Sequence, residues 1–254
     1  MNLTRHAKII EIMERQNTIS IRELAEKLSC TEMTVRRNLD QLEEQNLVRR
    51  ERGYAYLLKN ARRTDYYEEI NENAAEKKEI AGEALKFLRP NMSICLDSGT
   101  TIQQLVNLLP DHMPLSVITP SLTAAMKLSG LEMVSVMMPG GFLHHSNLSL
   151  LIDDPEAIGK YHADIAFISC RSFQIPGGSF EHSQTLTNTK RALASIADKK
   201  ILLMDHTKWN VRSIFNCIPL RQLDVIITDS KTPDEYIQKV RDAGKEIIIA
   251  GKNS

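Results

Sequence analysis

The chain has 254 residues, 42% of them apolar, which suffices for one large or two ordinary domains and argues against intrinsic disorder. Its formal net charge is zero, so overall charge indicates neither a nucleic-acid partner nor a membrane surface. The first 63 residues hold 13 Lys and Arg against 9 Asp and Glu, whereas the remainder is mildly acidic. This asymmetry fits a small anion-binding module joined to a second domain, although an ordinary surface explains it equally well.

The cysteines show no CxxC spacing, which favours buried thiols over metal ligands; they are Cys30, Cys95, Cys170 and Cys217. The first residues, "MNLTRHAKIIEIMERQ", are charged and amphipathic, unlike a signal peptide. No apolar run approaches the roughly 18 residues of a membrane span. We therefore expect a soluble, cytoplasmic protein with no membrane partner.

Residues 1–58 are predicted to form three helices and a β-hairpin. The apolar residues of "LTRHAKIIEIMERQ" fall on one helical face. Ser20 and Glu23 have the spacing of a capping box at the start of the second helix, and Thr31 is a plausible N-cap of the third. The segment "LVRRERGYAYLL" alternates around one glycine, which predicts two short strands and a turn.

The third predicted helix has a face suited to DNA. Val35, Leu39 and Leu42 form its apolar stripe, and polar groups that can bind bases and phosphates lie on other faces. Two helices, a tight turn and a hairpin are the pattern of a winged helix-turn-helix. The predicted DNA contacts are Ser20, Thr31, Thr34, Arg36, Arg37, Asn38, Gln41, Arg49, Arg50 and Arg52. Periodicity and charge alone leave a merely solvated surface equally open.

Residues 59–73 are polar and are predicted to be a linker, and residues 74–254 a mainly parallel α/β domain. Strand-like runs alternate there with helical runs. The predicted strands are "SICLD", "LSVIT", "VSVMM", "ADIAFIS", "KKILLMD", "DVIITD" and "EIIIA".

Small polar residues and glycines follow several of these strands, and carboxyl ends of parallel strands share one edge where ligands bind. "LDSGTT" resembles an anion-binding turn at a helix N-terminus, although many such turns serve only for capping. Lys208 is a candidate phosphate ligand, and Asp205 a sugar ligand or only a strand-end ion-pair partner. The candidates from these patterns are Asp97, Ser98, Gly99, Thr100, Thr101, Thr119, Ser121, Gly140, Gly141, Asp205 and Lys208.

The run "TVRRNLDQLEEQNLVRRERG" resembles the signature of the DeoR family of bacterial transcription regulators. The matching positions are Thr34, Val35, Arg36, Arg37, Leu39 and Leu42. Asn38 stands where the family usually has Asp, and Tyr54 replaces the second glycine of the wing. The resemblance implies a winged helix-turn-helix that binds double-stranded operator DNA.

The second half is similar to the DeoR-type effector domain through "LDSGTT", "VITPS", "PGG", "TKRALASIA" and "MDHTKW". That resemblance implies a fold like that of sugar-phosphate isomerases and a phosphorylated sugar as ligand, with Arg171 and Lys190 as further effector-binding candidates. The sequence departs from the family pattern at His144 and His145, near the usual Arg. Glu181 lies nine residues before Lys190, where the family often has a Glu nearer the lysine.

The resulting hypothesis is a repressor of a sugar or carbohydrate catabolic operon, controlled by a phosphorylated sugar and acting as a homo-oligomer, either dimer or tetramer. No cofactor is expected, and adjacent His144 and His145 point to opposite faces of a strand, which disfavours a metal site. Two alternatives are an isomerase-like enzyme and a regulator that has lost its effector. An enzyme is disfavoured because no acid–base constellation beyond Asp205 and Lys208 is evident.

Overall fold

The computed structural model describes residues 2–16, 18–44, 47–57, 66–152, 155–211 and 213–251. The N-terminal domain has the three predicted helices and a small antiparallel sheet of order β1-β3-β2. Its elements are α1 (Asn2–Gln16), β1 (Thr18–Ser20), α2 (Ile21–Lys27), α3 (Glu32–Glu44), β2 (Val48–Glu51) and β3 (Tyr54–Leu57). Strand β1 was not predicted, because three residues are too few to show an alternating pattern.

The predicted helix starts and hairpin turn are present. The Ser20 hydroxyl accepts a bond from the Glu23 amide at 3.1 Å, and Thr31 Oγ1 accepts one from the Thr34 amide at 3.3 Å. Glu23's carboxylate pairs with Lys27 at 3.1 Å. Arg52 and Gly53 have φ angles of 49° and 85° and join β2 to β3, as a two-residue hairpin with positive φ at both positions requires.

The C-terminal domain is built on a seven-stranded parallel sheet of order β15-β14-β12-β9-β4-β5-β6. All seven predicted strands are present. The sheet consists of β4 (Met92–Leu96), β5 (Leu115–Ile118), β6 (Val134–Met137), β9 (Ala163–Ser169), β12 (Ala197–Leu203), β14 (Val225–Asp229) and β15 (Glu246–Ala250). Smaller strands are β7 (Phe142–His144), β8 (Ser149–Leu151), β10 (Ser172–Gln174), β11 (Gly178–Glu181) and β13 (Phe215–Asn216).

Helices cover both faces of this sheet, as its continuous apolar strands require. Phe167 and its alternate neighbours face one core, and Ile168 and its alternates face the other. The helices are α4 (Tyr66–Glu69), α5 (Ala74–Leu85), α6 (Thr100–Leu108), α7 (Leu122–Leu128), α8 (Gln184–Ser195) and α9 (Asp234–Asp242). None of the helices described is long and apolar enough to cross a membrane.

The chain order places a crevice between β4 and β9. From β4 the chain proceeds to β5 and β6 on one side, and from β9 to β12, β14 and β15 on the other. The strand order therefore reverses between these two strands. In open α/β sheets, ligands bind at the carboxyl ends of the strands at such a switch point.

The predicted linker is partly structured. Residues 59–65 lie outside the described residues, so that part of the prediction has no structural counterpart. Its remaining part contains α4, whose Tyr66 is 4% exposed and bonds through its hydroxyl to Thr123 Oγ1 at 2.9 Å. This end of the predicted linker therefore packs on the C-terminal domain.

Gly99 allows the turn after β4 to approach the end of β9. A β-carbon at this position would lie 2.0 Å from Ser169 Oγ and 2.5 Å from Ser169 Cβ. The space is filled by a short side chain next to the backbone, which has little freedom to move. Only glycine therefore fits the turn as it is packed.

Gly99→Ala is expected to lower the unfolding free energy of the C-terminal domain by about 1–3 kcal/mol, the typical cost of overpacking. Urea unfolding followed by circular dichroism measures it. Gly82→Ala is the matched control, because a β-carbon there meets nothing within 4 Å on α5. That control should leave stability unchanged or raise it by up to about 1 kcal/mol. Equal stability of the two variants would contradict the steric argument.

Candidate functional site

The exposed side of α3 carries an accessible basic group. Val35, Leu39 and Leu42 are completely buried, as their spacing predicted. Met33, Arg36 and Arg37 are exposed, and Thr34 and Gln41 are half-buried. Arg36 pairs with Glu32 at 3.4 Å, whereas Arg37 forms no ion pair with any residue that the structure describes. Arg37 is therefore the arginine of α3 most available to an external partner.

Asn38 departs from the exposed position expected of a DNA contact. Its side chain is 4% exposed and donates from Nδ2 to the Thr34 carbonyl at 2.6 Å. It nevertheless lines the same groove as Arg37. The contact of Asn38 with DNA therefore stays a prediction.

Arg50 also departs from its predicted role at the wing, because acidic groups of α3 hold it. Its guanidinium lies 2.6 Å from Asp40 and 2.8 Å from Glu43, and its amide donates to Glu43 at 2.8 Å. Hydrogen bonds from Arg50, its amide first, hold the pKa of Glu43 below its ordinary value. Arg50 thus fastens the wing to α3, while Arg49 and Arg52 remain exposed on the hairpin.

A shallow groove beside α3 adds a basic residue that the sequence patterns did not single out. Arg5 of α1 lines this groove together with Thr34, Arg37 and Gln41. The helix periodicity of α1 identified only its buried face. It could not show that Arg5 lies beside α3, because that depends on how the two helices pack. Arg5 and Arg37 give the groove two positive charges.

A polar cavity of about 90 Å³ lies in the crevice between β4 and β9. It contains seven of the predicted effector-binding residues, namely Ser98, Gly99, Thr100, Thr101, Arg171, Lys190 and Lys208. Its other lining residues include Tyr66, Glu69, His144, Asn147, Glu181 and His182. This volume is well below the roughly 300–1,000 Å³ of typical small-molecule sites.

The N-terminus of α6 lines the cavity. Gly99 is the N-cap and has no side chain to satisfy the first amides of the helix. Those amides and the helix dipole favour a negative charge at this position. Ser98 Oγ accepts from Asn147 Nδ2 at 3.2 Å, so an amide from the loop before β8 braces the turn.

Two cations that line the cavity share one carboxylate. Glu69 Oε1 lies 3.2 Å from Arg171 Nη1 and 3.6 Å from Lys208 Nζ. Arg171 follows β9 and Lys208 follows β12, whereas Glu69 belongs to α4. The cationic side chains are each 16% exposed, so this contact is partly shielded from water.

A buried ion network forms the floor. Lys190 Nζ lies 2.6 Å from Glu181 Oε1 and 3.0 Å from Asp97 Oδ2, and it donates to the Ser169 carbonyl at 2.8 Å. Burial by itself lowers the pKa of Lys190, but the charges of Asp97 and Glu181 outweigh it and raise that pKa above its ordinary value. Lys190 is therefore a permanent cation beneath the cavity.

Several predicted effector residues do not line this cavity. Thr119 and Ser121 bond locally, since the Ser121 amide donates to Thr119 Oγ1 at 3.1 Å and Ser121 caps α7. Gly140 and Gly141 lie in the connection before β7. Asp97 lies in the floor, where it accepts from the Ser169 amide at 3.0 Å.

Asp205 also lies outside the lining, and it shapes the turn that carries Lys208. It is 1% exposed and accepts a bond from the Thr207 amide at 2.9 Å. Burial raises its pKa, but the Lys208 charge and the Thr207 bonds exceed this effect and lower the pKa overall. Asp205 thus has a structural role in the described residues, and its contact with a ligand stays a prediction.

Glu69, Lys77 and Glu181 belong to the site but were not among the predicted ligands. Lys77 is 1% exposed and donates to the Glu69 carbonyl at 2.5 Å. A signal for Lys77 exists in the sequence, because it falls on the buried stripe of α5 with Ile80, Ala81 and Ala84. The contacts of Glu69 with Arg171 span 102 residues and leave no local pattern.

Trp209 follows Lys208 directly and lies beneath the same turn. It is 6% exposed, stacks on Tyr236 with ring centroids 5.2 Å apart, and meets Phe173 edge-on at 5.1 Å. These contacts anchor the turn after β12 to α9 and β10. The position of Lys208 is therefore tied to the aromatic packing behind it.

A helix-turn-helix domain with an exposed arginine on α3, joined to an α/β domain with a cavity lined by charged groups, is the architecture of a ligand-controlled DNA-binding regulator. A DeoR-like helix-turn-helix domain matches residues 5–61, and a DeoR C terminal sensor domain matches residues 72–230. The chain belongs to the DeoR family of transcription regulators. The resemblance noted in its sequence motifs is thus confirmed over both domains.

Full-length relatives agree with this assignment. The HTH-type transcriptional regulator GolR of Listeria innocua is 33% identical over 97% of this chain and 98% of its own length. The glycerol-3-phosphate regulon repressor of Escherichia coli K12 is 26% identical over 94% of this chain and 95% of its own. The chain is accordingly a transcription regulator and not an enzyme.

A solved structure of ribose 5-phosphate isomerase A from Methanocaldococcus jannaschii is similar to part of the fold. The match has a TM-score of 0.41 at 18% sequence identity and covers 54% of this chain and 55% of the isomerase.

His6 makes the stability of the N-terminal domain sensitive to pH. It is 4% exposed on α1 beside α3, and burial lowers its pKa, an effect that hydrogen bonds with Gln41 and Asn38 only partly offset. Because the pKa of His6 is lower in the folded state, the unfolded state binds the proton first as the pH decreases. Stability is thus complete above the unfolded pKa of about 6.5 and falls as pH decreases below it.

We expect His6→Gln to flatten the pH dependence of unfolding between about pH 7 and 5, where a single proton contributes at most about 1.4 kcal/mol per pH unit. Urea unfolding of the full chain at a series of pH values, followed by circular dichroism, measures this. Exposed His112 provides a matched His→Gln control. Identical pH profiles for wild type and His6→Gln would show that the ring is not held neutral.

Proposed function

We propose that this protein is a repressor of a sugar or carbohydrate catabolic operon whose DNA binding is controlled by a phosphorylated sugar in the cytoplasm. The observation that carries the proposal is a cavity lined by the N-terminus of α6 together with Arg171 and Lys208. An uncapped helix start and two cations suit a phosphate, and the surrounding hydroxyl, amide and imidazole groups suit sugar hydroxyls.

The named relatives support the class of effector. One is a glycerol-3-phosphate regulon repressor, so the name of a relative that matches over nearly its whole length refers to a small phosphorylated polyol. We further propose a homo-oligomer, a dimer or tetramer, because helix-turn-helix regulators bind symmetric half-sites as symmetric assemblies.

On the DNA side, α3 is proposed to enter the major groove with Arg37 at a base edge. Thr34, Gln41 and Arg36 flank it, and Thr31, Ser20, Arg49 and Arg52 are proposed phosphate or backbone contacts.

Gel retardation of the promoter region of the protein's own gene should be observed, with affinity falling steeply as salt rises. Unaltered mobility at low salt would contradict the proposal.

Arg37→Ala should weaken specific DNA binding by about 1–3 kcal/mol, the usual worth of a bidentate base contact. It should leave stability unchanged, because Arg37 is exposed. Arg50→Ala should behave in the opposite way and lower stability by up to about 1 kcal/mol, since it removes a partly exposed ion pair with two acidic groups of α3. Gel retardation measures the loss of DNA affinity and urea unfolding the loss of stability, so the two experiments distinguish the two variants. If Arg37→Ala changed only the salt dependence of DNA binding, Arg37 would contact a phosphate and not a base.

A panel of phosphorylated sugars and their unphosphorylated parents should identify the effector by thermal shift. A ligand at 100 times its Kd stabilises the native state by about 2.7 kcal/mol. Lys208→Met should abolish the shift, whereas Lys127→Met, at an exposed lysine of α7, should not. A response to the parent sugars alone would contradict phosphate recognition, and no response from any member would favour a regulator that has lost its effector.

A further inference from the structure

We propose that Glu69 acts as a built-in anion of the sensor cavity, and that the effector's anionic group displaces it from Arg171 and Lys208, releasing α4. This inference rests on the proposed function, because it specifies how that same cavity is regulated. Its basis is a carboxylate that already occupies the space between the two cations, at 3.2 Å from Arg171 and 3.6 Å from Lys208.

Charge balance favours displacement over simultaneous binding. Among the described Asp, Glu, Lys and Arg side chains that line the cavity or are buried around it, four are cations and four are carboxylates. The cations are Lys77, Arg171, Lys190 and Lys208, and the carboxylates are Glu69, Asp97, Glu181 and Asp205. Glu181 and Asp97 are committed to Lys190 in the floor. An added phosphate would leave a partly buried excess of negative charge unless Glu69 withdraws.

The space available leads to the same conclusion. With Glu69 and Tyr66 among its walls, the cavity measures about 90 Å³. Typical ligand sites are several times larger, at roughly 300 Å³ or more. Withdrawal of a lining group would enlarge the space for a phosphorylated sugar, and Glu69 is the lining carboxylate that is not bound to the floor.

The position of Glu69 in the chain gives its displacement a consequence. α4 follows directly on the residues that connect the DNA-binding domain, and several contacts hold its described part on the sensor domain. They include the Glu69 carboxylate with Arg171 and Lys208, the Glu69 carbonyl with Lys77 at 2.5 Å, and the Tyr66 hydroxyl with Thr123 at 2.9 Å and Gln103 at 3.3 Å. Loss of the first contact weakens the attachment next to the DNA-binding domain, so effector occupancy biases the position of α4.

Glu69→Gln tests this in the full chain with inorganic phosphate as the probe, because the amide keeps the shape and removes the charge. Glu72→Gln, an exposed carboxylate three residues further along, is the matched control for a general change in charge. Calorimetry should show phosphate binding to Glu69→Gln at least about fivefold tighter than to wild type, the lower end of typical coupling between sites. Glu72→Gln should bind like wild type.

Hydrogen–deuterium exchange locates the effect. In the wild type, phosphate should slow exchange at residues 98–101, where the anion binds, and accelerate it at residues 66–73, where α4 is released. Slower exchange at 66–73, or equal phosphate affinity of wild type and Glu69→Gln, would overturn the displacement proposal. If Glu72→Gln bound phosphate as tightly as Glu69→Gln does, the proposal would also be overturned. The loss of any nearby negative charge would then explain the tighter binding.

The two proposals fail in different ways. If phosphate protects residues 98–101 but Glu69→Gln has no effect on its affinity, the cavity senses anions and only the displacement of Glu69 is wrong. If phosphate changes exchange at neither segment and binds neither protein, anion sensing at this cavity is contradicted, and the displacement proposal falls with it.

Discussion

The sensor cavity depends on one buried cation. Lys190 of α8 is held by Asp97 after β4, by Ser169 at the end of β9 and by Glu181 at the end of β11. Two carboxylates in a low-dielectric interior repel each other unless a cation lies between them, and removal of such a partner leaves an uncompensated buried charge. The same contacts bring the turns after β4 and β9 together. The start of α6 and Arg171, two residues beyond Ser169, owe their relative position to this network.

The charged groups in the floor of the cavity and those in its wall have different roles. The floor carries one cation and two carboxylates that pair with one another. It therefore holds the surrounding turns in place and adds little attraction for an anion. The wall supplies attraction through Arg171 and Lys208, whose charges lie closer to solvent. If α4 couples the sensor cavity to the DNA-binding domain as proposed, the factor by which the ligand shifts DNA affinity equals the factor by which DNA shifts ligand affinity. Under that proposal the parallel sheet needs no large rearrangement.

Much of the fold was predictable because β-strands and helices leave periodic patterns, and all seven strands of the large sheet lie where apolar runs placed them. The cavity was partly predictable because carboxyl ends of parallel strands converge, which brought Ser98, Arg171 and Lys208 to one place. The residues whose surroundings were not predictable depended on packing between distant segments. Asn38 lies one position from a buried stripe, and only the placement of α1 shows that it is covered. Arg50 pairs with α3 across a turn whose geometry the sequence does not reveal. Glu69 contacts Arg171, which lies 102 residues further along the chain, and Lys208.

The aromatic packing behind Lys208 has an optical consequence. Trp209 is the only tryptophan in the sequence, and it is covalently next to a cation of the cavity wall. Its indole is buried between Phe173 and Tyr236, so its emission reflects the immediate surroundings of that turn. The protein thus contains an intrinsic fluorophore in its sensor domain, next to a cation of the cavity wall, and a change at that turn can be sought by fluorescence in the intact, unlabelled regulator.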